Sequence, residues 1–186
     1  MEGLLSGVRE ITEIDAQLET ERIAPVALES LLREIVEGRC LRADKRVKIN
    51  LDAAFEEGEP VLVRASPERL TQVFENLLDN AESFSPAGGT VDVRLVRENG
   101  AGVVVVEDRG PGIPETHLDR IFDRFFQYRP QGQVSQGHTG HTGLGLAIVR
   151  AIVDGYGGSI RAWNRPEGGA RFEVRLPISP EGFRRT

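Results

Sequence analysis

The sequence predicts an α/β fold built on a mainly antiparallel or mixed sheet. Short stretches of alternating apolar and polar residues come in adjacent pairs joined by tight turns, which allows antiparallel pairing. Longer stretches of helical periodicity fall between other strands and layer helices onto the sheet. Hydrophobic residues make up 39% and charged residues 28% of 186, the balance of a soluble globular chain long enough to bury a core. One domain with a short appendage accounts for that length.

The chain opens on Leu4, Val8, Ile11 and Leu18, apolar at heptad-like intervals with Asp15 interrupting. Polar flanks make this a helix that pairs with another helix instead of joining a core. Pro25 breaks the region. A second amphipathic helix is expected from Ala27 to about Arg42, with Leu28, Leu31, Leu32, Ile35 and Val36 on one side. Val47, Ile49 and Leu51 alternate with polar residues as a strand, and Val61-Leu62-Val63 is another. Ser66 then reads as an N-cap with Pro67 in the first turn, starting a helix that runs to about Phe84 and stops before Ser85-Pro86 and Gly88-Gly89. Val91, Val93 and Leu95 alternate again, Glu98-Asn99-Gly100 signals a hairpin, and Val103 to Val106 is a continuous apolar strand ending at Glu107-Asp108. Residues 127–142 are rich in Gln, Gly, His, Ser and Thr and read as a mobile loop. A helix from about Gly143 to Tyr156 follows, ended by Gly157-Gly158. Strands around Ile160 to Trp163 and Arg171 to Leu176 close the chain as a hairpin across Pro166-Glu167-Gly168-Gly169. There is no internal repeat.

Several function classes are excluded by composition. A formal net charge of −6 argues against general binding to nucleic acid or to a membrane surface, which needs a basic face. The single cysteine, Cys40, forms no internal disulfide and fits a reducing compartment. No apolar run approaches a membrane span and the first residues are not a signal peptide. The expected location is the cytoplasm, either free or as the cytoplasmic part of a membrane-anchored protein, with no direct membrane contact by this segment.

Three segments carry chemistry. Gly143-Leu144-Gly145-Leu146 stands just before a helix, where glycines admit a ligand close to the backbone and the helix presents unpaired N–H groups to an anion such as phosphate. The same glycines also suit a tight loop packed onto a sheet. The chain lacks the G-x-x-x-x-G-K-[ST] phosphate loop. A dinucleotide fingerprint fits poorly as well, because a polar loop precedes the glycines and Ile148 stands where a small residue belongs. Asp108 ends an apolar strand before Gly110 and Gly112, placed to accept from an amino group such as that of adenine. Alone it reads more readily as an Asx-type turn after a strand. Asn76 and Asn80 lie four apart on one face of an otherwise apolar helix. An amide oxygen is a hard ligand suited to Mg²⁺, whereas two surface or capping amides are the plain alternative.

Taken together, these segments resemble sensor histidine kinases. Asn76-Leu77-Leu78-Asp79-Asn80-Ala81 with Phe84 resembles their N box, and Asp108-Arg109-Gly110-Pro111-Gly112-Ile113-Pro114 their G1 box. Ile121-Phe122-Asp123-Arg124-Phe125-Phe126 resembles the F box and Gly143 to Leu146 the G2 box, in the family's order. The resemblance covers about residues 66–177. It implies the Bergerat-type fold, an α/β sandwich whose mixed sheet is covered on one face by helices, here with a short N-terminal helix before it. It also implies an ATP lid between the F and G2 boxes. Asn80 would then hold Mg²⁺ and Asn76 would contact the triphosphate or metal-bound water. Phe84 would lie near base or ribose, and Asp108 would read the adenine amine. Gly110, Gly112 and Ile113 would border the nucleotide with Phe122, and Gly143, Leu144, Gly145 and Leu146 would cradle the phosphates. On the same grounds residues 1–21 are the end of a dimerisation-type helix and linker, 22–178 the ATP-binding catalytic domain and 179–186 a tail.

One residue chooses between relatives. ATPases that share this fold, such as gyrase, Hsp90 and MutL, carry a glutamate where Asn76 stands, and that carboxylate activates water. An amide cannot take a proton, so Asn76 favours transfer to a histidine, whose neutral imidazole needs no base, over hydrolysis. Glu75 points about 100° away on the helix and is no substitute. A serine-directed relative of the anti-sigma-factor kinase type ranks last for the same reason. Two departures stand out. Ser83 and Gln127 occupy positions where kinases often carry cations, and phosphoryl transfer relies on positive charge. Arg124 is the compensating catalytic cation expected within the F box, joined by Arg129, His138 and His141 when the lid closes. For the two histidines, solvated loop residues is the plain alternative. None of the three histidines, His117, His138 and His141, lies in a phospho-acceptor context on a helix. The acceptor is therefore expected on a dimerisation domain in the parent chain or in trans, with a response regulator downstream. The rival reading is a nucleotide-binding regulatory module, a degenerate kinase that signals by lid conformation without transfer.

Overall fold

The computed structural model describes residues 22–41, 47–53, 60–128 and 143–179. The heptad-like stripe from Leu4 to Leu18 lies outside them, as does most of the expected lid.

Ala24–Ala27 form strand β1 and Leu28–Cys40 helix α1. Strand β2 (Lys48–Asp52) and strand β3 (Leu62–Ala65) follow, then helix α2 (Pro67–Phe84). Strands β4 (Thr90–Glu98) and β5 (Ala101–Glu107) form a hairpin, and a 3₁₀ turn spans Glu115–His117. Helix α3 (Gly145–Gly155) precedes the closing hairpin of β6 (Ser159–Asn164) and β7 (Ala170–Pro177).

The main sheet has the order β2-β4-β5-β7-β6, with β2 parallel to β4 and every other pairing antiparallel, so it is mixed as expected. The β4–β5 turn has Asn99 and Gly100 at φ 48° and 75°, the left-handed pair that a two-residue hairpin of type I′ requires. Strand β1 was not foreseen. Pro25 does not end a region there but stands within β1, opposite Arg64 in an antiparallel pair with β3. That pair is a separate two-stranded sheet in which β3 also bridges to Ile178, while β1 pairs among the described residues with β3 alone and so is an edge, where proline is tolerated.

The three α-helices among the described residues cover one face of the main sheet. Helix α2 lies in the middle and packs on α1, α3, β4 and β5, while α1 covers β2 and α3 covers β6 and β7. Its expected cap is present: Ser66 Oγ accepts the N–H of Arg69 at 3.3 Å, and Pro67 opens the helix. Leu70, Val73, Phe74, Leu77, Leu78 and Ala81 bury its inner stripe against Val91, Val93, Val104 and Val106 of the sheet. Two further ties fix α2 to its neighbours. The Ser66 N–H donates to the hydroxyl of Tyr156 at the end of α3, 3.1 Å away. On the α1 side the buried Arg39 guanidinium is shared among Glu75, Asp79 and Glu82, with its Nη2 also donating to the Glu75 carbonyl at 3.1 Å. Burial pulls the Arg39 pKa down, but the hydrogen bond and charge of Asp79, helped by Glu75 and Glu82, outweigh it and hold the pKa above its ordinary value.

Candidate functional site

Strand β5 is the foundation of the site. It runs down the centre of the sheet and ends at Asp108, a carboxylate only 2% exposed. A buried carboxylate needs donors, and backbone supplies them: Oδ1 accepts the N–H of Gly110 at 2.8 Å and that of Ala170 at 3.0 Å. Oδ2 has no hydrogen-bond partner among the described residues. Burial, the largest influence, raises the Asp108 carboxyl above the usual aspartate range, and the two backbone donors and the charge of Arg165 only partly oppose it. An acceptor left open in such a place will bind a neutral donor, such as an amine, more strongly than it would in water.

The loop after Asp108 meets the far end of α2. A side chain at Gly110 would put its Cβ 2.7 Å from the Phe84 carbonyl, so the small residue there serves the approach of this loop to the helix. Gly112 likewise lies against Asn164. Ile113, half-buried on the core, has both backbone groups taken by Asn164: its N–H donates to Oδ1 at 2.7 Å and its carbonyl accepts from Nδ2 at 2.6 Å.

Helix α3 supplies the second wall. Its N-terminus carries no side-chain cap and no acidic residue in the first turn, so among the described residues nothing compensates the N–H groups of Gly145 and Leu146 or the positive end of the helix dipole. Leu144 is buried and Leu146 half-buried against the core, so these side chains anchor the segment and only their backbone can meet a ligand. The helix begins two residues later than its sequence pattern indicates. Gly143 stands before it at φ 71°, and its carbonyl accepts the N–H of Phe125 at 3.0 Å. That bond joins the 143–146 segment to the 121–126 segment, whose Phe122 ring meets Phe172 of β7 edge-on at 6.4 Å.

Asn76 faces this second wall. A Cβ on Gly145 would lie 3.0 Å from Asn76 Oδ1, so α2 and α3 touch at the asparagine and the glycine, while Asn76 Nδ2 donates to the Gln72 carbonyl at 2.9 Å. Asn80, one turn further along, is half-buried and makes no hydrogen bond to another described residue. Glu75 faces the other way and is held by Arg39, which removes it from the site.

The structure thus gathers Asn76 with Gly145, Phe84 and Gly110 with Asp108, and Phe125 with Gly143. Arg124 is exposed and has no bond to the rest of the site among the described residues. Ser83 and Gln127 are exposed as well, and Arg129, His138 and His141 lie outside the described residues. Sequence reasoning missed Asn164 and Arg165, which brace the Asp108 loop. An arginine beside a turn looks like any solvated charge. The available signal was a second consecutive glycine, Gly169, beyond the one that the turn needs.

Comparison with known proteins bears on the family and the fold. Residues 65–180 match the family described as histidine kinase-, DNA gyrase B-, and HSP90-like ATPase. The chain is similar to the sensor protein ChvG of Rhizobium meliloti (strain 1021), 36% identical in an alignment 191 residues long, gaps included, that covers 97% of this chain and 32% of ChvG. It therefore spans about a third of the length of that relative. Among solved structures it resembles the mycobacterial sensor histidine kinase MprB, with a TM-score of 0.70 and 30% identity, covering 86% of this chain and 99% of that one. It also resembles full-length ShkA in complex with AMPPNP, with a TM-score of 0.76 and 27% identity, covering 98% of this chain and 37% of that one. Among the described residues no helix is long and apolar enough to cross a membrane. The chain belongs to the histidine kinase-, DNA gyrase B- and HSP90-like ATPase family, as an ATP-binding catalytic domain of the sensor histidine kinase type, with the Bergerat fold.

Proposed function

We propose that this chain binds Mg-ATP where α2, the Asp108–Ile113 loop and the start of α3 meet, and transfers the γ-phosphoryl group to a histidine outside the chain. The observation that carries the reading is the contact of Asn76 with Gly145, which sets an amide-bearing helix face beside an uncapped helix N-terminus. An anion placed there meets backbone donors from α3 and amide groups from α2 together. At the other end, Asp108 Oδ2 accepts the adenine amine. Phe84 and Phe122 flank the base or ribose, and Ile113 with Gly110 and Gly112 borders them.

A divalent cation fits as a ligand of the Asn80 amide oxygen and, when bound, neutralises charge on the phosphate oxygens. Catalysis in this reading is positioning and charge stabilisation, with Arg124 as the cation beside the moving group. Asn76 cannot deprotonate water, and Glu75 is turned away by Arg39, so ATP is directed to an acceptor instead of being hydrolysed. The acceptor histidine sits on a dimerisation domain, in the parent chain or in trans, and a response regulator receives the phosphoryl group from it.

The test is direct. The chain is mixed with ATP, Mg²⁺ and a separate histidine-bearing hairpin domain, and acid-labile phosphate is sought on the hairpin. Tight ATP binding without label overturns transfer and favours the regulatory module, for which exposed Ser83 and Gln127 speak. Calorimetry that finds no binding of ATP or ADP overturns both. Asn80→Ala is expected to weaken ATP binding with Mg²⁺ present and to leave metal-free binding alone.

A further inference from the structure

We propose that Asn164 and Arg165, outside all four motifs, are positioning residues that determine base specificity, because they hold the Asp108–Ile113 loop at reading distance from a purine amino group. The inference rests on the nucleotide-binding reading above.

The loop is gripped at both ends by one hairpin. At its start the Asp108 N–H donates to the Ala170 carbonyl at 3.0 Å, and the Asp108 carbonyl accepts from Arg165 Nη1 at 3.0 Å. At its end Asn164 takes both backbone groups of Ile113, as a neighbouring strand would. Arg165 is itself fixed. Its side chain is 9% exposed, Nη1 also donates to the Gly168 carbonyl at 3.1 Å, and Nε lies 3.8 Å from Glu107 Oε1. Gly169, at φ 95°, completes the brace, since a Cβ there would come within 2.1 Å of the Asp108 carbonyl. Neither Asn164 nor Arg165 bonds the Asp108 carboxylate. They act on the backbone that aims it.

Whatever these bonds add to stability, those of Asn164 and one of Arg165 end on the backbone of the Asp108 loop. A carboxylate that reads one donor on a flat base must sit within a few tenths of an ångström of its place, because hydrogen bonds weaken steeply with distance and angle. Slackening the brace therefore costs the amine contact and leaves the contacts of the triphosphate as they were.

The experiment measures affinity for ATP and for inosine triphosphate, which carries a carbonyl oxygen in place of the amine, in the whole chain and its variants. The unaltered chain prefers ATP. Arg165→Met and Asn164→Asp, the latter setting an oxygen against the Ile113 carbonyl, lose about tenfold in ATP affinity. Their affinity for inosine triphosphate is unchanged, and Arg165→Lys recovers part of the loss. Asn164 is exposed, so Asn164→Asp keeps the fold, which a melting curve checks. An ATP preference that survives both substitutions, or equal losses for both nucleotides, overturns the inference alone. An unaltered chain that binds neither nucleotide overturns the functional reading and the inference with it.

Discussion

Asp108 decides most at the scale of single residues. Its pKa is raised in the fold chiefly by burial, so the stability it contributes is present below the unfolded value near pH 4 and is lost as pH rises through the folded one. At neutral pH its charge therefore weighs against folding. Asp108→Asn keeps an oxygen for the N–H groups of Gly110 and Ala170 and removes the charge. The variant is expected to melt above the unaltered chain at neutral pH, with the gap closing below about pH 4, while its ATP affinity falls by roughly 1.5–3 kcal/mol. Calorimetric melting across pH and titration with ATP check the two halves. This residue was legible in the sequence, because a carboxylate at the end of an apolar strand can be placed without knowing the rest of the fold. Asn164 and Arg165 were not, since what they bond is set by the pairing of β7 with β5 and by no local pattern.

Among the elements, α2 was read correctly from its cap to Phe84, since Ser66-Pro67 and the apolar stripe fix its start and its face. Its bond to α1 was invisible, as Arg39 looks like a helix-surface cation until Glu75, Asp79 and Glu82 are brought to it. Arg39→Met is expected to lower stability by about 2–3 kcal/mol in urea unfolding. That is less than for breaking a fully buried pair, because the three carboxylates keep 33%, 55% and 32% exposure. Strand β1 was missed because four residues containing a proline carry no strand signature, and only β3 makes them one. At the touching point of α2 and α3, Gly145→Ala adds helix propensity worth up to ~1 kcal/mol and forces the Asn76 amide aside by a few tenths of an ångström. The expected outcome is an unchanged or higher melting temperature with nucleotide affinity several-fold lower. A loss of both together would count against the placement of Asn76 at the ligand.

The whole molecule sets the limits of the working unit. We propose that the catalytic domain begins at residue 22. We propose that it runs to 178 and that Ser179 packs with it, since the Ser179 N–H donates to the Leu62 carbonyl at 2.8 Å and its side chain is buried. A chain of residues 22–179 should melt in one cooperative step and bind ADP as the full chain does, as differential scanning and titration calorimetry would show. The mixed character of the sheet was foreseen, but its order was not. Strand β2 lies parallel to β4 across β3 and α2, and such non-local pairing leaves no trace in periodicity.

Strand β5 is dry on both sides. Val104 and Val106 face the helices, and Val103 and Val105, also buried, lie beside Arg175 and Glu173 on the opposite face, where ion pairs link Arg175 to Glu98 and Arg171 to Glu107. The strand holding Asp108 is thus the least able to breathe. If Asp108 reads the base as proposed, an arriving nucleobase finds its reader already at rest, and the disorder that a floppy loop would surrender on capture was surrendered when the chain folded.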